Sequence, residues 1–428
     1  MPSLEHDDEE VHHRGRSEIE LTTVGDEEVS PLVDDEAKDA HGLAPGSASN
    51  AQVAVNIIIS FVGAGLLGLP EAFKGSGWLL GSVALCIVSA INVYAMLLLP
   101  QVKDQLKQQQ QRVVDSYGTM GAILLGPRGQ ALVNLCLVVS QTGFATAYII
   151  FIAANLWNIA EVPRHVVCFG CIPGLACLVQ ATEMKTLSPF SLLADLANLV
   201  GLSAVLFEDW EEYEPHNDTI HPVRWSGLLH VIGITIYSME GVGLILSLEG
   251  SCRDASQFPS LFRKVLISLT LFMAFFGSAG YMAFGEATEG PITLNLRAES
   301  LVANLVIGAL CLALYLTYPV MMFPVWSVIE SSNPSPARRR AQRSGLVVIT
   351  AVIAYVIPSF GHFLALVGSS FCTILGFILP GYFHYVVMPD LKLWQRVIDW
   401  GLMGGGAIFA VLGTMQSMNN LIHGEVKD

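Results

Sequence analysis

Apolar runs of about 18 or more residues recur along most of the chain, separated by short polar stretches. Runs of that length read as membrane helices, and their repetition sets the class: an all-α polytopic membrane protein. Of the 428 residues, 52% are hydrophobic and 14% charged, with a mean hydropathy of +0.53. A soluble domain carries about 25% charged residues, so a single large soluble core does not fit.

Eleven spans are predicted, at about 52–74, 78–101, 129–156, 163–183, 187–206, 226–250, 261–285, 300–327, 344–361, 363–388 and 398–419. All seven tryptophans (78, 157, 210, 225, 326, 394 and 400) fall near a span end, as indoles at a membrane interface do. With the N-terminus in the cytosol, the inside loops hold 14 Lys/Arg, from Lys103 to Arg396, against five on the other side: Lys74, Arg164, Arg224, Arg297 and Lys427. That satisfies the positive-inside rule and puts the C-terminus on the lumenal or extracellular side. Arg338, Arg339 and Arg340 then read as topology determinants. The sequon Asn217-Asp-Thr219 lies in an acidic loop on the far side, as a glycosylation acceptor should.

Five regions follow. Residues 1–50 form an acidic cytosolic tail, 51–206 a first five-span unit and 207–225 the acidic outer loop. Residues 226–388 form a second five-span unit, and 389–428 a loop, the last span and a short C-terminus. The formal charge is −15, of which the tail alone carries −11. A segment so charged and so poor in apolar residues is expected to be disordered, and it offers nothing to nucleic acid. It has no signal-peptide core. Glu28 to Val33 only loosely resembles an acidic dileucine signal. The eight cysteines are scattered through apolar blocks, where cysteine acts as a small hydrophobe. Cys168-Phe-Gly-Cys171 lacks the second pair that a zinc site needs, so no metal or cofactor is expected.

The stretch Gly63-Ala-Gly-Leu-Leu-Gly-Leu-Pro-Glu71 places three glycines, a proline and a carboxylate inside the first span. Span 6 carries Gly241-Val-Gly-Leu-Ile-Leu-Ser-Leu-Glu249, identical at four of those nine positions. The two lie five spans apart, an odd number, so the second enters the membrane from the opposite side. That is the mark of an inverted-topology repeat, whose paired broken helices indicate a transporter's binding site. A break exposes backbone N–H groups at one half-helix end and carbonyls at the other, which hydrocarbon tolerates only around a cavity within the protein.

The stretches NIIISFVGAGLLGLPEAFKGSGW (56–78), VSQTGFATAYIIFI (139–152), YSMEGVGLILSLEG (237–250), GYMAFGEAT (280–288), LTYPVMMFPVWSVIE (316–330) and VGSSFCTILGFILPGYFHYVV (367–387) resemble, in order, signatures of the amino acid/auxin permease family. Within it the chain is most similar to vacuolar neutral amino-acid exporters and proton-coupled amino-acid transporters. The resemblance implies a LeuT-like fold, with spans 1–5 and 6–10 as inverted repeats and span 11 added. It also implies secondary transport of small neutral amino acids with protons, at the vacuolar, lysosomal or plasma membrane.

Gly63, Ala64 and Gly65 are expected to offer backbone amides to a substrate carboxylate, and carbonyls near Tyr237, Ser238 and Met239 to take its ammonium. Gln141, Thr142, Thr317 and Tyr318 are candidate cavity residues, as is Tyr315, although helix–helix hydrogen bonding competes for each. Glu240 is the sharpest candidate proton carrier, since a mid-span carboxylate costs roughly 2.5–3.5 kcal/mol on insertion scales. Asp195 is the second. Glu71 and Glu249 are candidate gates near opposite membrane surfaces, or interfacial charges. His384 is expected to be structural. No Walker loop, HExxH or GxSxG is present, which argues against an enzyme. Two rival functions share the fold: an amino-acid sensor whose tail docks a cytosolic partner, and a sodium-coupled carrier.

Overall fold

The structure is a computed structural model that describes residue 46, residues 48–110, 114, 116–180, 203, 220–296, 300–330 and 334–423. The acidic tail up to residue 45, Asp195 with all but residue 203 of its span, and the sequon at Asn217 lie outside the described residues.

The regular elements among the described residues are helices. The first, α1 (Asn50–Phe61), starts at a capping box in which Ser49 accepts from the Gln52 backbone and the Gln52 side chain accepts from Ser49 N–H at 2.9 Å. It stops at Val62, and Gly63 is extended. The chain re-enters the helical region as α2 (Ala64–Leu67) and α3 (Leu69–Ser76), with Pro70 in the first turn of α3, where a missing N–H costs nothing. Gly77, at φ +82°, turns the chain directly under the Pro222 carbonyl, a corner with no space for a side chain.

Then come α4 (Trp78–Gln110) and α5 (Tyr117–Ala160). The first carries helix through Lys103 and Lys107, making that stretch a helical extension. The second begins a dozen residues before the predicted span. Its opening turns bury Tyr117 and Met120, and it kinks at Gly126 (φ 66°), just before Pro127. After α6 (Arg164–Leu178) and apart from residue 203, the chain is next described from residue 220, as α7 (Leu228–Ser238), a break, and α8 (Ile245–Ser251). The remainder is α9 (Phe258–Phe284), α10 (Leu301–Ile329), α11 (Pro336–Val356), α12 (Phe360–Val367), two π-helical turns over 368–378, α13 (Leu379–Val387) and α14 (Leu393–His423). Among the described residues, six helical stretches are long and apolar enough to cross a membrane: Trp78–Gln109, Tyr117–Ala160, Ala255–Ala287, Leu301–Ile329, Phe360–Val387 and Leu393–His423.

Lipid tails are as apolar as leucine, so close approach and interhelical hydrogen bonds hold such helices together. Phe73 of α3 fills the notch between Gly81 of α4 and Gly277 of α9; a methyl on either glycine would fall 2.6 Å and 2.9 Å from its ring. Gly227 meets the backbone of Gly75 in the same way. Arg343, counted among the inside charges, is in fact buried. It makes two bonds to Glu330, at 2.6 and 3.0 Å, donates to the Val179 carbonyl at 2.7 Å, and lies over the Trp326 ring. His384 is bonded to Asp399 at 2.8 Å, which ties α13 to α14.

Candidate functional site

The two breaks face one another at the centre. In the first, Val62 and Gly63 leave the helix between α1 and α2. In the second, residues 239–244 leave it between α7 and α8. They touch through Gly65 and Ser238: a methyl on Gly65 would lie 2.9 Å from the Ser238 Cα and would also strike its hydroxyl. Only a glycine allows this approach of helix to backbone. Tyr237 and Met239 are buried beside Ser238, whose own hydroxyl donates to the Ile234 carbonyl at 2.8 Å.

From α5, Phe144 packs edge-on against Tyr237, with ring centroids 4.6 Å apart, and the Tyr148 hydroxyl lies 3.8 Å from where a Gly63 Cβ would stand. Gln141 shares that helix face by its spacing and is buried. The Thr142 hydroxyl is buried with no hydrogen-bond partner among the described residues. On α10, Thr317 bonds the Ala313 carbonyl of its own helix, the fully buried Tyr318 bonds Thr350 of α11 at 2.7 Å, and the Tyr315 hydroxyl lies 3.5 Å from the Cys171 carbonyl. Asp195 lies outside the described residues.

Glu240 sits in the second break, buried, with its carboxyl group bonded to the Val242 N–H. Its Oε1 has no hydrogen-bond partner among the described residues. The neighbour the sequence reading missed is Asn92 of α4, which donates to the Met239 carbonyl at 2.6 Å and so caps the broken end of α7. Asn92 Oδ1 and Glu240 Oε2 both face Gly376, where a methyl would stand 3.4 and 3.8 Å from them. Gly376 belongs to the π-helical turns before α13, and Tyr117 donates to the adjacent Leu375 carbonyl at 2.9 Å. Such turns recur at functional sites because they free backbone groups. Asn92 was legible as a lone amide inside an apolar span; Tyr117 gave no comparable signal.

On each side of the breaks a carboxylate has a basic partner. At one end, α8 is tied to α4 by Glu249 and Lys103 at 2.8 Å, and the chain before α1 is tied to the end of α8 by backbone bonds such as Ala48 N–H to Ser251 C=O at 3.0 Å. At the other, Glu71 of α3 meets His230 of α7 at 3.0 Å. From Trp78 at the second end, α4 rises past Lys103 at the first, about 37 Å away at helical rise.

Two broken helices in contact, with a buried carboxyl in the second break, are the arrangement in which a membrane carrier binds its cargo. A family model described as transmembrane amino acid transporter protein matches residues 46–419, and the chain belongs to that family. It is 33% identical to amino acid transporter AVT3B of Arabidopsis thaliana, over 86% of this chain and 92% of that one. It is 34% identical to amino acid transporter ANT1 of the same plant, over 92% and 98%. Vacuolar amino acid transporter 3 of Schizosaccharomyces pombe is 29% identical over 80% of this chain and 54% of its own. Among solved structures, a sodium-coupled sialic acid symporter superposes with a TM-score of 0.53 at 13% identity, over 88% of this chain and 92% of that one. MhsT in complex with L-phenylalanine gives 0.51 at 14%, over 85% and 98%. These likenesses identify the fold as LeuT-like.

Proposed function

We propose that the protein is a secondary transporter of small neutral amino acids that couples their movement to protons. It would work by alternating access through eleven spans, with 51–206 and 226–388 as inverted repeats. Its N-terminus would face the cytosol. The end closed by Glu71 and His230 would face the lumen of a vacuole or lysosome, so that protons flowing down their gradient carry substrate to the cytosol. The observation that carries this reading is the buried Glu240 carboxyl inside the second break, beside Asn92 and one residue from the carbonyl that Asn92 caps. An unpaired membrane carboxyl is costly, and proton exchange on substrate binding gives it a use.

The breaks suit the backbone of an amino acid. The amides of Ala64 and Gly65, at the start of α2, would take the carboxylate, and the carbonyls ending α7 the ammonium. Phe144, Tyr237 and Met239 would form an apolar side-chain pocket with no charge to pair with lysine or glutamate. Vacuolar relatives support the location.

The test uses purified full-length protein in proteoliposomes with a pH dye inside, and amino acids added singly. Proton flux evoked by neutral amino acids and lost in Glu240→Gln is the expected result. Flux driven equally by lysine and glutamate would remove the substrate assignment. Substrate binding without flux would favour a sensor, and flux of sodium in place of protons would move the coupling ion.

A further inference from the structure

The Glu71–His230 contact belongs to a larger cluster. The His230 ring meets His362 of α12 edge-on, with centroids 5.3 Å apart. His362 Nδ1 lies 2.9 Å from Ser359 Oγ, at the corner between α11 and α12. His230 Nδ1 is buried without a partner among the described residues. The Glu71 carboxylate also presses on two backbones: a methyl on Gly361 would strike it, and one on Gly290 would lie 3.1 Å from its Cγ. One side chain thus joins α3, α7, the first turn of α12 and the loop after α9. Those elements must separate for the centre to open at this end.

We infer that Glu71, His230 and His362 form a proton-binding latch that holds this end of the carrier closed until protons reach it. The inference rests on the orientation proposed above, and does not depend on Glu240 being the coupled proton's carrier. The charged groups acting on Glu71 are His230, His362 and Lys74; those acting on His362 are His230 and Glu71. Lys74 is itself held by the Thr288 carbonyl at 3.0 Å, and the neighbouring Arg224 is paired with Glu286.

Histidine is the side chain whose charge changes between about pH 5 and 8. A first proton on His230 sets an imidazolium against a carboxylate and holds α3 on α7. A second, on His362, sets two imidazoliums and the Lys74 ammonium around that one carboxylate. Like charges at that spacing repel, and moving the corner before α12 away from α7 relieves it. Acid on this side therefore releases the latch when protons are there to be loaded. The Lys103–Glu249 lock at the other end contains no histidine and does not share the response.

Hydrogen–deuterium exchange of the full chain in lipid nanodiscs, at about pH 7.5 and about pH 5.5 and corrected for intrinsic rates, reads this directly. Exchange over 69–77, 225–232 and 357–364 should rise by roughly tenfold in acid, the scale of site-to-site coupling, while 246–254 does not follow. The rise should vanish in His362→Gln and in His362→Phe, which keeps a ring there. In Glu71→Gln the far end should exchange fast at both pH values. Equal exchange at both pH values in the parent protein, or an acid response that survives both His362 variants, overturns the latch. Acid opening in a protein that moves no protons with amino acids would leave the latch standing and remove proton symport. Symport with a far end insensitive to pH would remove the latch alone.

Discussion

The side-chain amide of Asn92 reaches from α4 to the carbonyl of Met239, 2.6 Å away, where α7 has run out of its own donors. The bond makes the second break a fixed feature and places Asn92 Oδ1 on the same side of Gly376 as the Glu240 carboxyl. Asn92→Ala leaves that carbonyl unpaired in a buried site, at a cost of about 1–3 kcal/mol. The expected outcome is a lower unfolding midpoint in detergent together with reduced transport. Asn92→Asp keeps the shape but removes the donor, and should be no better. Unchanged stability and rate in both variants would mean that the bond does not hold the break.

Gly65→Ala tests the contact between the breaks. Its methyl would meet the Ser238 backbone at 2.9 Å, and neither half-helix can yield without moving the site. Overpacking of this kind costs about 1–3 kcal/mol, so transport should fall by roughly tenfold or more in protein that still folds. A variant with ordinary transport would show that the half-helices move apart freely there. Ala64→Gly, which adds no atoms, is the matched control.

Lys103→Ala should free the α8 end. Glu249 is only 6% exposed, and Cys252, three residues on, is equally buried beside the chain that precedes α1. In a background whose other cysteines are replaced, the rate at which a water-soluble maleimide labels Cys252 reports opening at this end. Labelling should be faster in Lys103→Ala than with Lys103 present, and faster again in Glu249→Gln only if the pair is not the main restraint. Identical rates with and without Lys103 would assign the closure to the backbone bonds at Ala48 alone.

His384 and Asp399 form a buried pair, 1% and 0% exposed. Removing one member of such a pair strands the other, at a cost of about 3–5 kcal/mol. His384→Leu and Asp399→Leu should each lower the unfolding midpoint of the detergent-solubilised protein. The double variant, with no stranded polar group, should be less destabilised than the two single effects together. Strict additivity would show that the two groups do not depend on one another.

The sequence alone carries the membrane class, since apolar runs of spanning length must be helical in hydrocarbon. It also located both breaks. Gly63 and Gly65, Pro70, and the glycines at 241 and 243 interrupt apolar runs where uninterrupted leucine would have served. It marked Glu71, Glu240 and Glu249 as carboxyls needing an explanation, because burying a charge in a membrane is expensive wherever it occurs.

What those groups face follows from the packing of the helices. Glu71 meets a histidine 159 positions along the chain, and Glu249 a lysine 146 positions back. Arg343, which by its loop position counts as a surface charge, is enclosed by Glu330, the Val179 carbonyl and Trp326. Local pattern reports a helix's period and length, but its rotation and its neighbours follow from how small and large residues interlock across helices. Phe73 between Gly81 and Gly277, and Gly65 against Ser238, fix those rotations. They thereby bring Asn92, Tyr117 and Glu240 around one point, a meeting no stretch of sequence contains.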